Sequence, residues 1–307
     1  MDPAHAEGTS WRVLAAAAIP LLLAAGIGSD RTHVHAIHAV LSRPQPAVQT
    51  FVRRPAFVAP AATRFGDSDD LRSYVEHAAS HLDDPQTMYY VSQALEECRT
   101  WAAMPDDPVP PSVMVISSMD MRQAMRAAAG EALAEPCRGF EGEFIDSREV
   151  LALLQEAARR GEPHARARML LFRDIAAPKS DALDEIPALL STDDPQVVRD
   201  VGAFLTRGEV SSTYGGEEVD ARTAAIAWEL AACDLGYPCG PFSRLVLARC
   251  AVRGTCDAYR YDEAIAREED PARMARAQQL RGELVHALRR HDWSWLGLPG
   301  STMGTWR

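Results

Sequence analysis

Acidic residues followed directly by proline recur along the chain, and four of these pairs open a stretch with helical patterning. The four pairs are Asp84-Pro85, Glu162-Pro163, Asp194-Pro195 and Asp270-Pro271. An acidic residue at the N-cap accepts backbone N–H bonds and suits the helix dipole. Proline at the first helical position loses nothing, because its missing N–H would have no partner there. The pairs predict four helix starts, and their intervals of 78, 32 and 76 residues indicate degenerate helical hairpins.

Apolar residues repeat at helical spacing over much of the chain after residue 67. Three such stripes are Met88, Val91, Leu95, Cys98 and Ala102; Val150, Leu154, Ala157 and Ala158; and Ile226, Leu230 and Cys233. Strand-like alternation is nearly absent, and its best candidate, Val113 to Ile116, is too short to matter. With 47% hydrophobic residues, the chain has enough apolar side chains for a sizeable core. We predict an all-α fold, with helical hairpins packed as an irregular bundle or a short α-solenoid.

The N-terminal region contains an apolar run of 16 residues, Val13 to Gly28, directly after Arg12. This run is shorter than the roughly 20 residues of a membrane span and close in length to the core of a signal peptide. Residues 1–28 are therefore predicted to be a signal peptide or a signal-anchor, with a buried core helix as the alternative. Residues 29–66 contain four prolines among alanine, valine and arginine, and are predicted to be a linker.

Cysteines are confined to the region after this linker. They are Cys98, Cys137, Cys233, Cys239, Cys250 and Cys256. An even number behind an export signal indicates three disulfides. The Cys-x5-Cys spacing differs from the closer pairs of zinc sites. Among the pairings that six cysteines allow, we favour two local clips, Cys233 with Cys239 and Cys250 with Cys256, and a longer staple between Cys98 and Cys137. Six free thiols in a cytosolic protein are the alternative.

The leader and the cysteines together predict export. Residues 67–300 are then a disulfide-stapled helical domain outside the cytoplasm. The predicted location is the periplasm, either free or attached to the inner membrane through the N-terminus, with secretion as a further option.

Small residues at a predicted helix end resemble a known repeat. The stretch from Ala157 to Gly161 reads Ala-Ala-Arg-Arg-Gly and is followed by Ala165 and by Met169-Leu170. This pattern resembles Sel-like repeats, relatives of tetratricopeptide repeats, in which Ala-Ala-x-x-Gly ends one helix and Ala-x-x-x-Leu lies in the next. Small alanines let two helices approach closely, and glycine takes the positive φ of the turn.

A second stretch of the chain is similar to the same family. Trp228, Ala231-Ala232 and Gly236 are similar to its Trp-x-x-x-Ala-Ala-x-x-Gly pattern, with one residue fewer between the tryptophan and the alanines and one more before the glycine. The resemblance implies a helical scaffold for protein–protein contacts, often in the bacterial envelope, and it implies no catalytic residues.

Charge and composition exclude several classes of function. The chain carries 43 Asp and Glu against 32 Lys and Arg, a net charge of −11, which argues against nucleic acid as the main partner. Asparagine is absent, so no asparagine can complete an oxyanion hole or carry a glycan. The single lysine, Lys179, precedes Ser180 without the glycine of a phosphate-binding loop, so nucleotide binding has no support.

Histidines and linker residues offer only weak site candidates. His77 and His81 are four residues apart and could share a helix face for a metal, but ordinary surface histidines are the favoured interpretation. A further group after the leader is assigned to the linker; its members are His33, His35 and His38. Asp67 and Ser68 are predicted to cap a helix. No catalytic residue, metal site or cofactor is predicted.

The C-terminal region contains an aromatic patch with Trp293 and Trp295, which is either a cap on the last helical hairpin or a partner-binding edge. We take these two tryptophans as the candidate binding residues. The favoured function is an extracytoplasmic helical scaffold or adaptor that binds a protein of the cell envelope without catalysis. The alternatives are an envelope hydrolase with an unrecognised carboxylate pair and a metal-binding envelope protein.

Overall fold

Helices make up nearly all the regular structure of the computed structural model, which describes residues 61–66, 68–102, 118–173, 180–208 and 212–298. The first seven helices in these ranges are α1 (Ala61–Gly66), α2 (Leu71–Ala78), α3 (Pro85–Ala102), α4 (Ser118–Ala134), α5 (Ser147–Arg159), α6 (Pro163–Leu170) and α7 (Ser180–Leu183). The others are α8 (Ile186–Leu190), α9 (Pro195–Leu205), α10 (Ala221–Asp234), α11 (Arg244–Arg253), α12 (Tyr261–Ala266) and α13 (Pro271–Arg290). Two short 3₁₀ segments, Ala79–His81 and Glu135–Phe140, lie between them. The predicted all-α fold is confirmed.

The four predicted helix starts are confirmed at α3, α6, α9 and α13, each of which begins at the proline of its acid–proline pair. Asp84 accepts a hydrogen bond from the Thr87 backbone N–H at 2.8 Å. The equivalent bonds at the other three helices run from Ala165 to Glu162, from Gln196 to Asp194 and from Ala272 to Asp270. These bonds satisfy backbone donors that have no partner inside the helix.

Helix α6 lies at the junction of two apolar cores. Successive contacts run from α3 to α5, α6, α9, α10 and α13, while α4 packs on α11. The N-terminal core draws on α1, α2, α3 and α5 and ends at Ala165. The C-terminal core begins at Ala167 and Leu170 and continues through α9, α10 and α13. All described residues belong to one compact unit, Val52–Arg307, and α6 joins its two cores.

Three disulfides have the pairing that the spacing favoured. Cys98 in α3 is bonded to Cys137 in the second 3₁₀ segment, and both are buried. Cys233 near the end of α10 is bonded to Cys239, and Cys250 in α11 to Cys256. The first bond joins segments 39 residues apart, whereas the other two close loops with a separation of 6.

The predicted end of the linker at residue 66 is wrong, because α1 (Ala61–Gly66) is helical and packs on α3. Ala61 is buried, and the Phe65 ring lies against the rings of Tyr74 and Tyr90. The helical domain therefore starts at Ala61 in the described chain. The apolar run at Val13 to Gly28 and the rest of residues 1–60 lie outside the described residues.

The predicted capping residues before α2 are also wrong. The N-cap is Asp70, whose carboxylate accepts the backbone N–H groups of Arg72 and Ser73. Ser68 instead donates its hydroxyl to the Asp70 carbonyl at 2.8 Å. Asp67 lies outside the described residues.

A short antiparallel hairpin precedes α10, in a region where the sequence analysis predicts no strand. Strand β1 (Ser212–Tyr214) pairs with β2 (Glu217–Val219). Gly215 and Gly216 form the turn with positive φ, the geometry that two-residue hairpin turns require. Val113 to Ile116, the best strand candidate, lies outside the described residues.

Replacing Gly202 by alanine should lower the free energy of unfolding by about 1 to 3 kcal/mol, because the added methyl overpacks the contact between α9 and α10. A Cβ at Gly202 would lie 2.6 Å from the Cβ of Trp228, which is fully buried. Gly282 in α13 is the matched control, since a Cβ there meets nothing within 4 Å. Gly282→Ala should raise stability by about 0.5 to 1 kcal/mol. Urea unfolding followed by circular dichroism measures both, and changes of the same sign would contradict the close contact.

Candidate functional site

Helix α6 combines a buried face with a face of basic side chains. His164, Ala165, Ala167 and Leu170 are buried between the two cores. Arg166, Arg168 and Met169 line surface grooves instead. The helix has eight residues, so its position depends on the contacts that fix it to α3 and α9.

A buried histidine joins the starts of α6 and α9. The Nδ1 atom of His164 lies 2.6 Å from Glu162 Oε1, and its Nε2 atom lies 3.0 Å from Asp194 Oδ2. Glu162 and Asp194 are the N-cap residues of α6 and α9. The imidazole also stacks on the Tyr89 ring of α3, with 5.1 Å between ring centroids. We call Glu162, His164 and Asp194 the histidine clamp.

Protonation of His164 completes the histidine clamp. Burial alone would lower the pKa of His164, but hydrogen bonds to Asp194 and Glu162 outweigh it and raise this pKa to about 9. Burial would likewise raise the pKa of Asp194, yet the hydrogen bond from His164 holds it below its usual value. At neutral pH the imidazolium donates a hydrogen bond from each nitrogen. Neither nitrogen then has a lone pair for general-base work.

A second polar contact between α6 and α9 lies one turn further along. Arg168 Nη1 is 3.4 Å from Oδ1 of Asp200, a carboxylate that is 1% exposed. Burial raises the pKa of Asp200, and the positive charges of Arg168 and Arg199 oppose this shift. The buried Asp200 carboxylate therefore holds the Arg168 side chain against α9. The histidine clamp at the first turn of α6 and this contact at its second turn fix the helix at both ends.

Two grooves lie on either side of Phe172, just beyond the end of α6. Groove A has a volume of about 430 Å³ and groove B about 270 Å³. Groove A is lined by Gln155, Ala158, Arg159, Arg166, Met169, Phe172, Arg173 and Glu185. Groove B is lined by Ser92, Gln93, Glu96, Arg99, Ser147, Arg148, Val150, Leu151, Leu154, Arg168 and Phe172. Phe172 is 55% exposed, and its ring is common to both grooves.

Arginines are the most frequent charged residues of this surface. Six arginines and two glutamates line the two grooves. Three of these arginines are also paired with acids outside the groove linings: Arg159 with Glu156, Arg148 with Asp146 and Arg168 with Asp200. In groove A, Glu185 holds two guanidinium groups, with Oε2 3.2 Å from Arg166 and Oε1 2.6 Å from Arg173. In groove B, Glu96 holds Arg99 with both carboxylate oxygens. These ion pairs orient the guanidinium groups beside an exposed aromatic ring.

The grooves have the chemistry of a binding surface. Each contains one carboxylate residue, Glu185 in groove A and Glu96 in groove B, so neither holds the carboxylate pair of the predicted hydrolase alternative. Val150, Leu151 and Leu154 supply an apolar wall from α5 to groove B. The arrangement can bind an apolar side chain and an anion next to each other.

The structure packs Trp293 and Trp295 against the C-terminal core, as a cap on the last helical hairpin requires, and their role in binding a partner stays a prediction. Trp293 is 8% exposed, and Trp295 is partly buried. The Trp295 carbonyl accepts a hydrogen bond from the Gly215 N–H at 2.8 Å, and its indole covers this glycine of the hairpin turn. The two tryptophans therefore cap the end of α13, the alternative that the sequence left open.

The histidines that the sequence considered as ligands are dispersed. His77 Nδ1 lies 3.3 Å from the Ser73 carbonyl, and His81 Nδ1 lies 2.9 Å from the Ser80 hydroxyl. Within the ranges that the structure describes, no group of three His, Cys, Asp or Glu residues could hold a metal ion. No helix in those ranges is long and apolar enough to cross a membrane. His33, His35 and His38 lie outside the described residues.

Comparisons with models of known families, with curated proteins and with solved structures find no match to this chain. The resemblance to Sel-like repeats therefore stays a prediction. Helices α5 and α6, which carry its first stretch, pack against each other as a hairpin, and Gly161 between them has a φ of 90°.

Sequence reasoning missed His164, Phe172 and the arginines of the grooves. The acid–proline pairs at Glu162 and Asp194 mark two helix starts, but they do not indicate that the two helices pack side by side around His164. Phe172 gave no signal either, since an aromatic residue after an apolar helix end predicts burial.

Proposed function

We propose that this chain is a non-catalytic helical binding protein, which holds a protein partner on the surface formed by Phe172 and grooves A and B. The observation that carries the proposal is the exposed Phe172 ring between two arginine-lined grooves. Aromatic residues and arginines are enriched at the energetic centres of protein interfaces, where a ring enters a partner and guanidinium groups bind its polar atoms. The histidine clamp supports this function by fixing α6.

The proposed compartment is one outside the cytoplasm. Three disulfides use all six cysteines, and disulfides persist in oxidising compartments. The apolar run from Val13 to Gly28 supports the same compartment, since a signal peptide or a signal-anchor contains such a run. We therefore propose a protein of the periplasm, free or attached to the inner membrane through its N-terminus, or a secreted protein, with its partner in the cell envelope.

Photo-crosslinking tests this function at single positions. Phe172→p-benzoylphenylalanine, introduced into the full chain in the cells that make it, should yield a discrete protein adduct under light. Phe144→p-benzoylphenylalanine is the matched control, because Phe144 is 82% exposed and lines neither groove. The control should yield no adduct of that size.

A second variant tests whether the crosslinked adduct depends on specific binding at groove A and not on random collision. Arg166→Glu, combined with the crosslinker at position 172, should abolish the adduct, because a carboxylate replaces a guanidinium at the edge of groove A. An identical adduct from positions 144 and 172, or no adduct at position 172, would refute the proposed binding surface.

A further inference from the structure

We infer that the partner of this surface presents an acidic segment with an aliphatic residue, whose carboxylate binds Arg166 and Arg173 in groove A and whose aliphatic side chain enters groove B. This inference rests on the proposed function and names the chemistry of the partner. The two grooves meet at Phe172, so one short segment can reach both across the ring.

Groove A has the oriented hydrogen-bond donors that a carboxylate binds. A guanidinium has five N–H donors, and in the described contacts Arg166 and Arg173 each use one of them on Glu185. Glu185 therefore orients the two groups without saturating them. Two oriented guanidinium groups favour a bidentate carboxylate, which is the best geometric match to a planar fork of donors. Arg159 at the same groove is paired with Glu156 through two hydrogen bonds, so Arg166 and Arg173 are the groups that bind the carboxylate.

Groove B has the apolar surface that an aliphatic side chain contacts. Its wall is made of Val150, Leu151 and Leu154 on α5, with the Phe172 ring opposite in the same groove. Transfer of an aliphatic side chain from water to such a wall is favourable in proportion to the apolar area covered. Gln93 on α3 provides polar atoms at this groove for the backbone of a bound segment.

Charge complementarity selects a protein segment over other anionic partners. In groove B each arginine has a carboxylate partner: Arg99 pairs with Glu96, Arg148 with Asp146 and Arg168 with Asp200. The unmatched positive charge is in groove A, where Arg166 and Arg173 share Glu185, while the chain as a whole has a net charge of −11. Long-range repulsion from this net charge opposes a polyanion such as nucleic acid or an anionic membrane, whereas a short acidic segment carries far fewer charges and fits within the grooves.

Fluorescence anisotropy with labelled peptides tests the inference on the full disulfide-bonded chain. The probe is a 12-residue peptide with the pattern Glu-Glu-Leu-Leu repeated three times, and the comparison peptides replace every glutamate by glutamine or every leucine by serine. We expect either replacement to weaken binding by about tenfold or more, because each removes one of the two contacts.

Matched variants assign the binding to groove A. The double variant Arg166→Gln with Arg173→Gln should weaken binding of the acidic peptide by about tenfold, because two charged donors are lost. Arg138→Gln is the control, since Arg138 pairs with Glu131 and Glu135 on the surface and lines neither groove. The control should bind the acidic peptide as the unchanged chain does, and circular dichroism confirms that all variants are folded.

The other outcomes separate this inference from the proposed function. Equal binding of the glutamine peptide, lost in Phe172→Ala, would overturn the acidic partner while the binding surface stands. A crosslinked adduct at position 172 without peptide binding would have the same meaning. Binding to vesicles of anionic phospholipid that requires Arg166 and Arg173, with no peptide binding, would replace the protein segment by a membrane and overturn the inference.

Discussion

Replacement of His164 by alanine is expected to lower the free energy of unfolding by about 3 kcal/mol at neutral pH, because it removes the cation from a buried ion pair. The Glu162 side chain is 3% exposed, and it loses its only cationic partner in the described contacts. Asp194 is 34% exposed and retains backbone donors at the start of α9, so its share of the loss is smaller. The missing imidazole also leaves a space against the Tyr89 ring.

Urea unfolding of wild type and His164→Ala, followed by circular dichroism at pH 7, measures this loss. The matched control is His291→Ala. His291 lies 3.4 Å from Asp193, but it is 46% exposed, and exposed ion pairs contribute less than about 1 kcal/mol. A loss at position 164 no larger than the loss at position 291 would show that the histidine clamp does not stabilise the fold.

The contribution of the histidine clamp should also depend on pH with a definite sign. The pKa of His164 is raised from 6.5 to about 9 in the folded chain, so folding favours the protonated form. The extra stability is therefore fully present below about pH 6.5 and is lost as the pH rises through 9. Tyr89 and Tyr90 face the imidazole as well, but burial raises the pKa of both hydroxyls, which stay neutral over this range.

The pH series repeats the same unfolding experiment on wild type and His164→Ala at pH 6, 8 and 10. The difference in unfolding free energy between the two chains should shrink as the pH rises. A constant difference would mean that His164 acts through packing against Tyr89 and not through its charge.

Local features of the fold were predictable from the sequence, because they depend on residues close together in the chain. The cap at Asp194 needs only the backbone N–H groups of the next three residues, and proline at position 195 is compatible with a first helical turn. The same holds for the clips at Cys233 and Cys250, whose partners are six residues away. Helix identity and disulfide pairing were therefore predicted well.

Contacts between distant residues were not predictable in this way. His164 and Asp194 meet only because α6 and α9 pack side by side, and no local pattern specifies that pair. The burial of Trp295 depends on the hairpin turn at Gly215, 80 residues earlier. A tryptophan near a chain end fits both an exposed edge and a cap, and only the tertiary structure distinguishes them.

Removal of the long disulfide should cause the second large effect. The double variant Cys98→Ala with Cys137→Ala is expected to lower the free energy of unfolding by about 4 kcal/mol, because the unfolded chain regains the entropy of an open loop. This bond spans a separation of 39 residues. Both sulfur atoms belong to buried residues, so the lost packing adds to the effect.

The matched comparison is the double variant Cys250→Ala with Cys256→Ala. Its loop has a separation of only 6 residues, for which the same relation gives about 2 kcal/mol. Urea unfolding of both variants under non-reducing conditions tests the order of the two losses. An equal or larger loss from the short loop would show that Cys250 and Cys256 stabilise the folded contact between α11 and α4. The loss of unfolding free energy would then reflect contacts of the native state and not the entropy of the unfolded chain. In the native state Arg126 of α4 donates hydrogen bonds to the last carbonyls of α11.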